Sequence, residues 1–140
     1  MFSKSNLIST LITALWGFLG GWLIWGIIGD PILKEHILHT SLMKEIPNFP
    51  LLALGCLIIG FSFSTMYSKW ANGTHNISVG VNFGIWLGIL TGLGDGLIDH
   101  ATANIIDLSG SIMNAMLYIV HFAIMGILAS IVYSKSSTIN

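Results

Sequence analysis

Residues 80–96 read GVNFGIWLGILTGLGDG, an apolar run with a glycine at every fourth position. Because residues four apart lie on one face of an α-helix, the run predicts a helix with one face almost bare of side chains. Such faces let two helix backbones come close inside a membrane, where van der Waals contact replaces hydrophobic burial as the main attraction. We therefore interpret the run as a membrane-spanning helix that packs through a glycine zipper. The zipper consists of Gly80, Gly84, Gly88, Gly92 and Gly96.

The composition of the whole chain favours a membrane location. Of the 140 residues, 54% are hydrophobic and only 8% are charged, whereas an average soluble domain has roughly 25% charged residues. Five lysines, no arginine and a formal net charge of −1 leave no basic patch for the phosphates of a nucleic acid. We therefore exclude nucleic acid as a partner and expect the lipid bilayer to surround the chain.

Four apolar segments approach the length of about 20 residues that a helix needs to span a bilayer. They are residues 7–29, 51–67, 77–98 and 112–133. The prediction is an all-α fold, an integral membrane four-helix bundle that forms one domain over residues 1–140. The outer loop at residues 30–50 begins with Asp30-Pro31. This pair predicts the start of a short helix, because aspartate is a good N-cap and proline is tolerated in a first turn.

The lysines predict the orientation of the bundle. Lys4, Lys69 and Lys135 share one side of the membrane, and that side carries no acidic residue. Because positive charge concentrates in the cytoplasm, both termini are predicted to be cytoplasmic. The arginine-free, isoleucine-rich composition is typical of an AT-rich bacterial genome, so we expect the inner membrane of a bacterium.

An internal repeat bears on the architecture. The pattern Ile-x-Gly-x-x-x-Ser-x-x-Tyr-Ser-Lys occurs at residues 58–69 and again at residues 124–135. Because each copy ends a two-span hairpin, the pattern predicts a tandem repeat of hairpins related by an axis along the membrane normal. The alternative remains open that Tyr-Ser-Lys is merely a common ending for a helix at the membrane surface.

The glycine face of the third helix requires a closely packed partner. Gly17 and Gly21 form a second pair of glycines four residues apart, in the first segment. The predicted partner is therefore the first helix or a second subunit, which makes a homo-oligomer or a partner subunit the expected assembly. Large apolar side chains occupy the opposite side of the third helix and are expected to face lipid. They are Val79, Phe83, Trp86, Leu90, Leu93 and Leu97.

A candidate polar site lies within the second hairpin. One group of polar residues projects inside the glycine arc of the third helix, and a second group forms a stripe on the fourth helix. Ionisable residues inside a span are costly and mark candidate functional sites, so we predict a ligand or proton site in a cavity that opens outward. Its members are Thr91, Asp95, Asp99, Asn114, Tyr118 and His121. Two alternatives remain open, namely that Asp95 is simply solvated and that His121 is satisfied by one internal hydrogen bond.

The sequence contains no pattern that predicts catalysis, a metal site or a cofactor site. His100 projects about 100° away from Asp99 on a helix, and His121 lies too deep to join them as a metal ligand. Haem held by two histidines would require a second histidine at matching depth on another span. No metal and no cofactor are therefore expected.

Several short motifs together resemble a known family. They are GGWLIWG at residues 20–26, YSKWA at residues 67–71, the glycines of the third helix, and ATAN at residues 101–104. The chain resembles a domain-of-unknown-function family of small four-span bacterial membrane proteins, and the resemblance covers most of its length. The resemblance implies no activity, and no functional residue is carried over from it.

Three functions from different classes are consistent with these features. The first is a small ion or solute binding or transport component with an outward-facing protonatable site. The second is a structural or accessory membrane subunit that packs on a partner through the glycine face. The third is a four-span membrane enzyme, which is disfavoured because the chain has no arginine to clamp a phosphate or a carboxylate.

Overall fold

The computed structural model describes residues 3–40, 44 and 46–137, and in this part the chain is an all-α bundle of four helices. The helices are α1 (Lys4–Leu33), α2 (Phe49–Ala71), α3 (Ile77–Thr102) and α4 (Leu108–Ser137). Each is long and apolar enough to span a membrane. The predicted fold class is confirmed. We call the end of the bundle with both chain termini the termini end, and the end with residues 34–40 and 103–107 the loop end.

Short polar side chains begin the helices, as capping chemistry requires. Ser3 accepts a hydrogen bond from the backbone N–H of residue 6 at 3.2 Å, at the start of α1. Asn48 and Asn76 do the same for α2 and α3, at 3.2 and 2.9 Å. At the end of α2, Asn72 and Gly73 have φ angles of 45° and 84°. This left-handed pair turns the chain sharply into α3, because asparagine and glycine tolerate that conformation.

Two helices change their winding in the half nearest the loop end. α1 is π-helical over Trp22–Gly29 and α3 over Ile89–Gly94, so each turn there contains more residues than an α-helical turn. α1 then continues as α-helix through Asp30–Leu33. The predicted short helix at Asp30 is therefore present over Asp30–Leu33, but it continues α1, and its N-cap position is Gly29 rather than Asp30. Pro31 has no backbone N–H to donate. It lies where the hydrogen bonding changes from π to α, so the missing donor does not break the helix.

The two hairpins pack side by side and are joined mainly along α1 and α4. α2 and α3 meet in the termini half of the bundle, where the ring of Phe83 lies 5.0 Å from Phe63 and 5.7 Å from Tyr67. Phe83 is only 4% exposed, so the prediction that it faces lipid was wrong. It lies three residues after Gly80, beside the glycine face, where α2 covers it. Trp86 and Leu90 are exposed, as expected for lipid-facing side chains.

The glycine face of α3 packs on α4, rather than on α1 or a second subunit. A Cβ atom added at Gly80 or Gly84 would overlap the α4 backbone at Gly126 or Phe122, and one at Gly92 would lie 2.6 Å from the Cβ of Tyr118. α3 and α4 are consecutive antiparallel helices joined by a short loop, so they pack against each other along their length. Gly126 has no side chain on the facing side of α4, which lets the two backbones come close.

The other glycines that were predicted to pack helices together do not make close contacts. A Cβ at Gly21 or Gly96 would have no neighbouring atom within 4 Å, and one at Gly17 would make an ordinary contact of 3.6 Å with Cys56. The close approach of α1 and α2 occurs instead at Gly60, where an added Cβ would lie 2.7 Å from the carbonyl oxygen of Thr10.

Equivalent positions of the two hairpins make equivalent contacts. Gly60 brings α2 against α1, and Gly126 brings α4 against α3. The rings of Tyr67 and Tyr133, which occupy the same position in the two copies of the repeated pattern, meet each other at 5.5 Å. A contact between equivalent residues is expected at an axis that relates two copies, so these contacts fit the predicted tandem repeat.

Candidate functional site

α2 separates from the rest of the bundle towards the loop end. Every residue from Phe49 to Leu54 is exposed, whereas Gly60, Phe63 and Tyr67 nearer the termini end are buried. The separation leaves one cavity between α2 and α3 and another between α1 and α2. We call them the acid recess and the aromatic cavity.

The acid recess has a volume of about 460 Å³ and contains five of the six residues predicted for the site. They are Thr91, Asp95, Asp99, Asn114 and Tyr118. Apolar side chains of α2, Ile58, Phe63 and Met66 among them, form the opposite wall. Asp95 and Asp99 are exposed, which agrees with the open alternative that Asp95 is solvated as well as with an accessible site.

Local contacts fix the polar side chains of the recess. The Trp25 indole N–H donates to the Asn114 side-chain oxygen at 2.7 Å, and the Trp25 ring meets the Tyr118 ring edge-on at 4.7 Å. Thr91 donates its hydroxyl hydrogen to the carbonyl oxygen of Leu87 at 2.8 Å, within its own helix. Trp25 and Thr91 both belong to the π-helical segments, so the altered winding of α1 and α3 sets where these side chains lie.

His121 lies in the aromatic cavity, apart from the two acids. Its ring stacks on Trp16 at 5.5 Å and meets the edge of Trp25 at 5.1 Å, and Tyr118 and Phe122 separate it from the recess by lining both cavities. Three helical residues rotate the direction of a side chain by about 300°, so position 121 points roughly 60° away from Tyr118, towards α1. The sequence prediction had placed His121 with the acids.

The aromatic cavity is the larger of the two, with a volume of about 670 Å³. Six aromatic rings contribute to its lining, together with three glycines of α1, and none of its lining residues is an acid or a lysine. The rings are Phe18, Trp22, Trp25, Phe49, Tyr118 and Phe122, and the glycines are Gly17, Gly21 and Gly26. The His121 ring is only 5% exposed, and its Nδ1 atom has no hydrogen-bond partner among the described residues.

Two loops close over the loop end of the bundle. His36 Nδ1 lies 2.9 Å from a carboxylate oxygen of Asp107, and the N–H of Leu38 donates to the carbonyl oxygen of Ile105 at 2.8 Å. The pKa of Asp107 is lowered, mainly by the backbone N–H of Gly110 and next by the His36 side chain. A third cavity of about 290 Å³ lies under these loops and is also lined by Asp99, Asn114 and Tyr118. Tyr118 therefore lies at the junction of all three cavities.

The termini half contains a buried polar cluster that sequence reasoning missed. The two N–H donors of the Asn6 amide are shared among the hydroxyl oxygens of Ser64, Thr65 and Tyr133, which lie 3.1 to 3.3 Å from its nitrogen. The Tyr133 hydroxyl also donates to the Ser64 carbonyl oxygen at 3.2 Å. The signal was present, because the polar positions 6, 9, 10 and 13 of α1 have helical spacing and form one face.

The described residues contain no group of three or more His, Cys, Asp or Glu side chains placed to hold a metal ion. Comparisons of the chain with models of protein families, with curated proteins and with solved structures found no match. The resemblance to a domain-of-unknown-function family therefore stays a prediction.

Proposed function

We propose that this membrane protein is a small binding and transport component that takes up a proton or a small cation in the acid recess. The observation that carries the proposal is the meeting of α3 and α4 polar side chains in one accessible cavity, while the rings of Phe63, Phe83 and Phe122 pack together beneath it. A site on one side of a membrane with a closed path to the other is what a carrier needs.

The charges of the recess favour a positively charged ligand. Asp95 and Asp99 line it, and its lining residues include no lysine, arginine or histidine. A cleft lined by one sign of charge between apolar walls concentrates counter-ions near it. The Tyr118 hydroxyl and the Asn114 amide supply further oxygen atoms, and the apolar α2 wall would exclude bulk water from a bound cation.

Passage across the membrane would require the bundle to rearrange below the recess. The Phe63 ring blocks that direction, packed at 5.0 Å from Phe83 and 5.9 Å from Phe122. The π-helical segment Ile89–Gly94 adjoins the recess, and such segments often mark functional sites in helices. We propose that a change in this winding moves Asp95 relative to α4.

The proposal includes the location of the protein. With both termini in the bacterial cytoplasm, the recess opens to the outside of the inner membrane, and a homo-oligomer would provide several recesses. The accessory-subunit alternative depended on a free glycine face, and Gly80, Gly84 and Gly88 lie against α4. It therefore needs another docking surface. The enzyme alternative remains the least favoured, because the chain has no arginine to clamp a phosphate or a carboxylate.

The test is flux into vesicles that contain the purified protein and a pH-sensitive dye or a cation-sensitive dye. Under an imposed membrane potential, wild-type protein should give a flux above that of empty vesicles, and Asp95→Asn should lower it at least tenfold. Asp30→Asn is the matched control, because Asp30 is an exposed acid of the loop end that lines none of the three cavities.

Two outcomes would contradict the proposal. One is a wild-type flux equal to that of empty vesicles, and the other is an Asp95→Asn flux equal to that of the wild type. The direction of access has its own test. On a Cys56→Ser background, a water-soluble maleimide should label Thr91→Cys from the outside of cells, and Ser9→Cys, which is 0% exposed, should stay unlabelled from either side.

A further inference from the structure

We infer that the aromatic cavity is a second binding site, for a neutral, planar ring compound that dissolves in lipid and carries a carbonyl oxygen, the chemistry of a quinone. The inference does not rest on the acid recess, because His121, the polar group on which it depends, lines only the aromatic cavity of the two. Its basis is the combination of His121, the aromatic walls and the position of the cavity beside the exposed half of α2.

The size and lining of the cavity define the size and charge of the ligand. Its volume of about 670 Å³ lies within the range of roughly 300 to 1,000 Å³ that is typical of small-molecule sites. Because no acid and no lysine lines it, a charged ligand would be buried there without a counter-charge, which is costly. The ligand is therefore neutral.

The walls favour a flat ring. Trp22, Trp25 and Phe122 present ring faces or edges, and aromatic pairs prefer offset-stacked or edge-to-face contacts with a planar partner. Gly21 leaves a stretch of bare α1 backbone between the rings, with no atom within 4 Å of the place where a Cβ would lie. A space bounded by rings and bare backbone accommodates a flat ring system better than a branched chain.

The imidazole of His121 supplies the polar contact. A neutral imidazole has one N–H donor and one acceptor nitrogen. Nδ1 is fully buried and has no hydrogen-bond partner among the described residues, so Nε2 is the nitrogen that a ligand in the cavity would reach. Trp16 holds it by stacking, and the Trp16 indole N–H donates to the His121 carbonyl oxygen at 3.0 Å. A buried polar ring that is held rigidly yet left without a partner is the kind of group that fixes the orientation of a ligand in an apolar site.

The direction of access agrees with a lipid-soluble ligand. Leu19, Trp22 and Leu52 line the cavity and are 53%, 64% and 45% exposed, on a part of the surface that faces lipid in a membrane. A molecule dissolved in the bilayer would therefore reach the cavity sideways, between α1 and the loop-end half of α2, without crossing water.

The test uses menadione as the probe and the intrinsic tryptophan fluorescence of the full chain in lipid nanodiscs. Menadione should quench the fluorescence of the wild-type protein with a saturable component, beyond the linear quenching that nanodiscs with a lipid-soluble tryptophan ester show. 2-Methylnaphthalene has the same rings without the carbonyls, and as a competitor it should bind roughly 3- to 10-fold more weakly, the effect of one neutral hydrogen bond.

Two variants test the site itself. His121→Leu should weaken menadione binding roughly 3- to 10-fold. Gly21→Leu should abolish the saturable component by filling the cavity, without disturbing the fold, because the space around Gly21 is open. Gly55→Leu is the matched control, since Gly55 also has open space around it but does not line the cavity, and its binding should equal that of the wild type.

The inference is overturned by any of three results. They are purely linear quenching of the wild type, unchanged binding in Gly21→Leu, and equal affinity for menadione and 2-methylnaphthalene. The last result would make the cavity a general apolar space that a lipid chain fills. If His121→Leu fails to fold, Gly21→Leu and the competitor still decide the question.

Discussion

The termini half and the loop half of this bundle are built from the same four helices but differ in how glycine acts. In the termini half, Gly60, Gly80 and Gly84 each lie against the backbone of a neighbouring helix. In the loop half, Gly92 still lies against α4, but a Cβ atom added at Gly21 or Gly96 would have no neighbour within 4 Å. A glycine draws two helices together only where the facing helix also offers a small residue or bare backbone, and elsewhere it leaves space.

Polar residues show the same contrast between the halves. Near the termini end, Asn6, Ser64 and Tyr133 are buried and bonded to one another. Near the loop end, Asp95 and Asp99 face an open recess. Both π-helical segments lie in this half as well. The closed half therefore provides the stability of the bundle, and the open half holds the groups that a ligand can reach.

The strongest test of this difference between the halves is to add one methyl group to a glycine in each of them. Gly84→Ala should lower the stability of the bundle by about 3 kcal/mol, because the new atom would overlap the backbone of Phe122 and must push α4 away. Gly96→Ala, in the open half, should be neutral or slightly stabilising, because helix propensity favours alanine. Unfolding in detergent mixtures, followed by circular dichroism, measures both. Equal stabilities of the two variants would remove the distinction between the halves.

A smaller effect is expected from the polar cluster of the closed half. Asn6→Leu removes the two N–H donors that one buried amide shares among three hydroxyl oxygens, and side-chain hydrogen bonds between membrane helices contribute roughly 0.6 kcal/mol each on average. Because Asn6 Oδ1 has no partner among the described residues, part of this gain is offset, and we expect a net loss of about 1 kcal/mol. Asn82→Leu makes the same change at an exposed position of α3 and should not destabilise. A more stable Asn6→Leu protein would show that the cluster serves something other than stability.

The fold could be predicted from the sequence because the strongest signals are local or periodic. Apolar length defined the four spans, and the four-residue glycine spacing identified the face of α3 that is packed. The partner of that face could not be predicted in the same way. Gly126 lies in the repeated pattern at residues 124–135 and offers bare backbone to Gly80, yet the glycine pair Gly17 and Gly21 looked equally suitable. Whether the glycine face of α3 meets α1 or α4 depends on how the hairpins are arranged, and the spacing of glycines in the sequence does not contain that information.

The candidate site was predicted in part, for a reason that concerns helix winding. Projection at a constant angle brought Asp95 and Tyr118 to a common face, and they line one recess. The same projection did not show that α1 covers His121 or that α2 covers Phe83, because it treats each helix alone. It also assumes regular winding, which Trp22–Gly29 and Ile89–Gly94 do not have. The glycines in these segments weaken α-helical preference but do not by themselves specify π-helix.

The smallest expected effect is the pH dependence that His75 contributes in the closed half. His75 precedes α3, and its ring stacks on Tyr133 at 5.0 Å. Burial lowers the pKa of His75 below its ordinary value of 6.5, so folding favours the neutral ring. Its contribution to stability is complete above pH 6.5 and decreases as the pH falls towards the lowered value, since the unfolded chain then binds the proton more readily. The unfolding midpoint in denaturant should therefore be lower at pH 5 than at pH 7.5, and His75→Phe should reduce this difference. His39→Phe, at an exposed position of the loop end, should retain it. If His39→Phe reduces the difference and His75→Phe does not, the pH-sensitive packing lies in the loop half.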